Sequence, residues 1–396
     1  MNIIFFDDEN RENLLPLTFT RPACELRVGI LTIREKWEKH FREKASFITV
    51  DYLQEKYPLE SGKNNLLING CILPDAGLLK SIQALKPGTK LVQEDFVIAV
   101  RTEEQVNNDL NFLAGIAVDK VEIYSAKLNR VKFCWDLFAF NDQAIRDDFA
   151  MLTKGRVSQT IPSSNKCIQP ENIFLEEGVK VECSILNAQT GPIYLAKDSE
   201  IMEGAMIRGP FSLGEHAQVK MGAKIYGATT IGPECRVGGE VSNSVMMGYS
   251  NKGHDGFLGN SVLGEWCNLG ADSNNSNLKN NYSKIKVWNY KEEQYINTGL
   301  QFCGLIMGDH SKCSINTMFN TGTVVGVSAN IYGNGFPPKF VPSYSWGGSE
   351  GFKTYRLEEA LEVGQRVYER RHIEFTMSDQ KILKHLFEIT TKYRSW

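Results

Sequence analysis

The chain has 396 residues, of which 42% are hydrophobic and 23% charged, with a formal net charge of −3. That composition is ordinary for a globular protein, and the near-neutral charge gives no reason to expect nucleic acid or an anionic membrane as a partner. Nine cysteines scattered singly, without a CxxC pair, read as reduced thiols rather than a disulfide framework.

The chain opens MNIIFFDDENRENLL. Acids follow a short apolar run directly, so it does not read as a signal peptide, and no apolar run reaches the ~18 residues of a membrane span. A cytoplasmic protein with no membrane partner is expected. Residues 1–150 alternate strand and helix patterns. Ile3–Phe6, Phe47–Val50, Asn65–Asn69 and Phe96–Val100 read as strands, and Leu31–Phe41 and segments near 77–85 and 103–113 as helices. The alternation predicts an α/β domain with a mostly parallel sheet. Residues 151–170, with Pro162 and Pro170, read as a linker.

From 171 to 336 a six-residue repeat takes over. Ile201, Ile207, Leu213, Val219, Ile225, Ile231 and Val237 keep the spacing, which resumes at Phe257, Leu263 and Leu269 and again from Met307 to Ile331. A period of six fits neither 3.6 nor 2.0, and predicts a left-handed parallel β-helix of hexapeptide repeats. Residues 242–256 and 272–300 break the frame, and excursions from a solenoid are where function is expected. Residues 337–396 read as an extended Pro/Gly-rich segment followed by helices Leu357–Phe375 and Ser378–Arg394. Ser378 is the expected N-cap, and capping the solenoid the expected role.

Within the first excursion, His254 lies between glycines in Lys252-Gly253-His254-Asp255-Gly256, where a substrate can approach a base. Asn268, Asn274, Asn275 and Asn277 follow, either as binding amides or as an internal asparagine ladder. The run GHDGFLGNSVLGEWCNLGADSNNSN, with Lys284-Ile285-Lys286 beyond it, resembles the acetyltransferase domain of the bifunctional glucosamine-1-phosphate acetyltransferase/N-acetylglucosamine-1-phosphate uridyltransferase family. The whole chain is similar to a divergent member, with a nucleotidyltransferase-like domain first and the β-helix second.

The resemblance implies His254 as general base for attack of a sugar amine on acetyl-CoA, with Glu240 orienting it. It implies Asn268 and Asn277 as acceptor-site amides, the Ala271 N–H at the developing oxyanion, and Lys284 at the sugar phosphate. Phe257 stands where the family has tyrosine, Ser242 where it has a phosphate-binding lysine, and Lys224 begins the stretch that approximates its Arg-Pro-Gly turn. In the N-terminal domain the family's glycine-rich loop is absent. Arg21 and Arg27 are expected at the nucleotide phosphates instead, Asn69 beside the nucleotide, and Asp75 as the Mg²⁺ ligand. The implied partners are small molecules (a sugar phosphate, acetyl-CoA and UTP), and the implied assembly is a homotrimer. A sugar O- or N-acyltransferase with a degenerate N-terminal domain stays open. So does a noncatalytic scaffold, whereas a zinc carbonic anhydrase is disfavoured because His216, His254 and His310 are not paired at ligand spacing.

Overall fold

A computed structural model describes residues 1–110, 116 and 118–396. Six strands form the N-terminal sheet: β1 (Asn2–Phe6), β2 (Ala45–Ile48), β3 (Asn65–Asn69), β4 (Thr89–Gln93), β5 (Phe96–Thr102) and β6 (Lys120–Ile123). Their order is β2-β1-β3-β5-β4-β6. The β1–β2, β1–β3 and β4–β6 pairs are parallel and β5 runs antiparallel to both its neighbours, so the sheet is mixed. Helix α1 (Ile33–Phe41) starts at a capping box in which Thr32 and Glu35 satisfy each other's backbone N–H. Helix α2 (Ala76–Ala84) is capped by the Asp75 carboxylate. The helix expected near 103–113 is not formed over 103–110, where Thr102, Asn65 and Ser61 side chains take up local backbone groups. Residues 111–113 lie outside the described residues.

The second half is a parallel β-solenoid with three faces, of six, nine and ten strands. Its inward columns follow the six-residue frame. On the nine-stranded face Leu175, Leu195, Leu213, Ile231, Met246, Leu263, Met307, Val325 and Val341 stack in register, each buried. Each such side chain removes ~1.5–3 kcal/mol worth of apolar surface from water. The corner between the nine- and ten-stranded faces needs left-handed backbone, supplied by Asp198, His216, Glu234, Tyr249, Trp266 and His310, all with φ between 53° and 61°.

The two breaks in the frame differ. Residues 242–256 are not an excursion. They form a shortened coil containing Val245–Gly248 and Asn251–Lys252, with Met246 under Ile231 and Lys252 under Val237. The frame then resumes on Leu258, opposite Val241, and Phe257 faces outward. The second break is a true insertion, the hairpin Lys286–Asn289/Gln294–Asn297. It docks on the N-terminal domain, where Asn289 donates to Asn13 (3.1 Å) and Lys291 pairs with Glu9 (2.8 Å).

The two halves share one core. Val245, Met247, Val262, Ile306 and Val324 belong to the nine-stranded face, yet cluster with Leu17, Phe19, Trp135 and Leu137. Regular structure is absent from Lys154 to Asn165, and the first solenoid strand, Lys166–Ile168, already lies inside the expected linker. The C-terminal helices are Leu357–Glu369 and Met377–Ile389, the latter capped by Thr376 with Asp379 rather than by Ser378. They run back along the solenoid instead of sitting on its end. Arg371 reaches Glu234, and Asp379 pairs with Lys56 of the N-terminal domain.

Candidate functional sites

The corner between the ten- and six-stranded faces gathers several of the expected residues. Strand Asn251–Lys252 leads into His254, which is exposed. The loop carrying it presses on the coil above: a Cβ at Gly238 would meet the Gly253 carbonyl oxygen at 2.5 Å, and one at Gly239 the His254 carbonyl oxygen at 2.8 Å. Only glycines allow that approach. One coil below, Asp272 N–H donates to the Asp255 carbonyl (3.1 Å), so His254 and Ala271 occupy the same corner in successive coils.

Around the corner, Lys224, Glu240 and Phe257 are direct cross-strand neighbours on the six-stranded face. Asn277 joins them. A Cβ at Gly259 would meet both the Phe257 ring (2.4 Å) and the Asn277 amide nitrogen (2.7 Å). That amide donates to Asn260 (2.8 Å).

The arrangement departs from expectation at three residues. Glu240 accepts a hydrogen bond from the Tyr226 hydroxyl (2.5 Å), and the His254 imidazole has no hydrogen-bond or ion-pair partner among the described residues. The expected carboxylate–histidine pair is therefore not formed. Asn268 lies on the ten-stranded face, accepting from Asn251 (2.8 Å), not beside Asn277. Lys284 is exposed, and only its carbonyl is engaged, by Lys279 (3.1 Å).

One participant escaped the sequence reading. Lys252 stands among the inward residues, in a column of Val219, Val237, Leu269 and Cys313, and is fully buried. Its ammonium donates to the carbonyls of Gly238 (3.0 Å) and His254 (2.6 Å), and desolvation pulls its pKa down to about 8. The signal was its spacing, fifteen residues after Val237 in a coil shortened at its corners.

In the N-terminal domain a cleft of about 710 Å³ opens at the ends of β1 and β3, lined among others by Asp7, Asp8, Asn69, Lys90, Phe96 and Arg130. Asn69 donates there to Asp8 (2.9 Å). Arg130, not singled out from sequence, lies 3.7 Å from the Phe96 ring centroid and 3.6 Å from Asp8. Asp7 is buried, holds Thr49 and the Ala23 N–H, and has its pKa raised by desolvation.

The other N-terminal expectations are corrected. Arg21 is buried against the solenoid, paired with Asp309 and with Glu265 (3.1 Å), and so ties the two halves together. Arg27 donates to the Met247 carbonyl (3.0 Å) and faces Glu35 (3.7 Å). Neither lines the cleft. The Asp75 carboxylate receives the Gly77 and Leu78 N–H groups and borders a different cavity. Among the described residues no group of three His, Cys, Asp or Glu side chains could hold a metal.

Residues 3–157 match the family model for sugar nucleotidyl transferases. The chain is 32% identical over 160 residues to the bifunctional sugar-1-phosphate nucleotidylyltransferase/acetyltransferase of Sulfurisphaera tokodaii, covering 40% of this chain and 37% of that protein. It is 33% identical over 87 residues to the bifunctional protein GlmU of Methanocaldococcus jannaschii, covering 22% and 21%. These relatives support the bifunctional family that the sequence resembles, over 37% and 21% of their lengths. A solved Arabidopsis UDP-N-acetylglucosamine acyltransferase covers 56% of this chain and 80% of its own, at 16% identity and a TM-score of 0.25. Among the described residues no helix is long and apolar enough to cross a membrane.

Proposed function

We propose that the chain is a sugar-phosphate acyl- and nucleotidyltransferase. The solenoid acetylates the amine of glucosamine-1-phosphate from acetyl-CoA, and the N-terminal cleft joins the product to UTP, giving UDP-N-acetylglucosamine. The observation that carries the first activity is the stacking of His254 over Ala271 at one corner, beside the row Lys224–Glu240–Phe257 and Asn277. His254 takes the proton from the attacking amine. The Ala271 N–H receives the charge that develops on the thioester oxygen. Lys224 offers a cation to the sugar phosphate. Because no hydrogen bond fixes the imidazole, Glu240 acts through the field of its carboxylate or after substrate brings the two together.

For the second activity, Arg130 and Lys90 supply the cations of the cleft. Magnesium enters with the triphosphate, whose oxygens provide most of its ligands. One observation favours an alternative in which the N-terminal domain is inactive: both arginines expected at the phosphates are occupied in packing.

The six-stranded face is covered by neither the N-terminal domain nor the C-terminal helices, and exposes Ile185, Met206 and Tyr226. A homotrimer burying that face is part of the proposal.

Product analysis with glucosamine-1-phosphate, acetyl-CoA, UTP and Mg²⁺, omitting one at a time, tests both activities. His254→Ala is expected to slow acetylation at least ~10²-fold and to leave uridyl transfer to ready-made N-acetylglucosamine-1-phosphate unchanged. Acetylation at the wild-type rate would end the assignment of His254.

A further inference from the structure

The ten-stranded face carries a concavity of its own, about 640 Å³, between its outward side chains and the end of helix Leu357–Glu369. Five cations line it: Lys220, Arg236, Lys312, Arg370 and Arg371. No aspartate or glutamate is among the lining residues. The nearest counter-charge is Glu234, shared between Arg371 (3.1 Å) and Arg236 (3.7 Å). Lys220 has only the Gln218 side-chain oxygen (2.9 Å), and Lys312 only the His310 carbonyl (2.9 Å). Arg370 forms no ion pair among the described residues. Glu200, behind Gln218 (2.8 Å), adds a second acid whose charge reaches Arg236, so five positive groups face two negative ones.

Such an excess is costly where the groups are withdrawn from water. Burial depresses the Lys312 amine to about 8, and burial together with the Arg371 charge lowers Arg236. A row of lysines on an open solenoid face would be unremarkable, since each would be solvated. Here the cations converge on a concave space whose wall also carries aromatic and amide groups. Tyr249 stacks on Trp266 with ring centroids 4.3 Å apart, and Asn251 and Asn268 form an amide pair. Cations for phosphate oxygens, a ring for a base and amides for its edge are together what a nucleotide requires.

We propose that this cleft binds the phosphates of a nucleotide-type anion, with Lys220, Lys312 and Arg370 as the principal contacts. Under the acyl-transfer reading, on which only the ligand's identity rests, the anion is the nucleotide end of coenzyme A. Asn251 and Asn268 precede His254 and Ala271 by three residues each, at most ~10 Å of chain. A donor anchored here extends its thioester toward the reacting corner.

The test is isothermal titration of the full chain with coenzyme A, adenosine 3′,5′-bisphosphate and UTP. Wild type is compared with Lys220→Gln/Arg370→Ala, two side chains whose loss breaks no ion pair. Coenzyme A and the bisphosphate are expected to compete, and to bind about tenfold or more weakly both to the variant and at raised salt. UTP binding is expected to be unchanged. Equal affinity of wild type and variant for both probes would overturn the proposal. So would the failure of both probes to bind wild type at millimolar concentration. Binding of the bisphosphate with exclusion of coenzyme A keeps the anion site and removes acetyl-CoA as its ligand. Normal coenzyme A affinity in the double variant, with His254→Ala inactive, removes the site and leaves the acyl-transfer reading intact.

Discussion

Lys252→Met replaces a buried ammonium by an uncharged chain of similar length in a column of Val237, Leu269 and Cys313. Burial lowers the Lys252 pKa from 10.5 to about 8. With 2.303RT near ~1.4 kcal/mol, the folded state carries a penalty of about 3 kcal/mol wherever lysine is charged in both states. The sign follows from proton counting. Between about pH 8 and 10.5 the unfolded chain holds a proton that the folded chain has released, so wild-type stability rises with pH through that window. Below pH 8 the full penalty stands. The variant lacks the penalty but leaves the Gly238 and His254 carbonyls without their donor, at ~1 kcal/mol each. Lys252→Met is therefore expected to be about 1 kcal/mol more stable than wild type at pH 7 and about 2 kcal/mol less stable at pH 10.5. Urea unfolding of both proteins at the two pH values measures it. A difference that does not change with pH would refute the reasoning, because the buried lysine would then not be titrating as its surroundings require.

Two further outcomes follow from the junction between the halves. Arg21→Met leaves the buried Asp309 and the half-buried Glu265 without their cation and is expected to cost ~3–5 kcal/mol, read as a lower melting temperature. Its UTP affinity below that temperature should equal wild type, and a stable variant that no longer binds UTP would return Arg21 to the nucleotide site. His310, stacked near Trp266 and Tyr368, is held neutral by burial, with its pKa lowered to about 3. The unfolded chain takes up that proton near 6.5, so stability is lost as pH falls from about 6.5 toward 3. His310→Phe should unfold at lower pH than wild type in acid titration followed by circular dichroism, and an unmoved midpoint would count against it.

The solenoid is legible because each coil is a local event. A branched or aliphatic residue every six positions points inward whatever the rest of the chain does, and Ile201 to Val237 follow that rule without a break. The rule failed where spacing and burial separate. The shortened coil at 242–256 kept Met246 and Lys252 inward while dropping residues from its corners, so a search at fixed spacing sees a gap and a lysine hides as a loop residue. The α1 and α2 segments were readable from periodicity, while their caps Thr32 and Asp75 were not, Asp75 being expected as a metal ligand instead. The antiparallel placement of β5 was not, since strand direction in a sheet depends on partners remote in sequence.

The site was legible to the extent that it is one stretch of chain. His254, Ala271, Phe257 and Asn277 come from consecutive coils, and a motif fixes them together. Arg21 and Arg27 were misread for the opposite reason. An arginine in a basic-looking segment of a nucleotidyltransferase-like domain has the same composition whether it faces phosphate or protein, and only the neighbouring surface decides. That surface is the nine-stranded face, where Val245, Met247 and Val262 are apolar on the outward side as well as the inward one. A strand in a solenoid needs one apolar face. A second one means the outer side is also covered, and the cover here is the N-terminal domain, with Asp309 and Glu265 projecting toward it. Outward apolar residues in the repeat thus mark the junction, and an arginine in the covering domain opposite buried acids is consumed by it. Cations that line a cavity are a different case: Arg130 and Lys90 in the N-terminal cleft, and the basic cluster on the ten-stranded face.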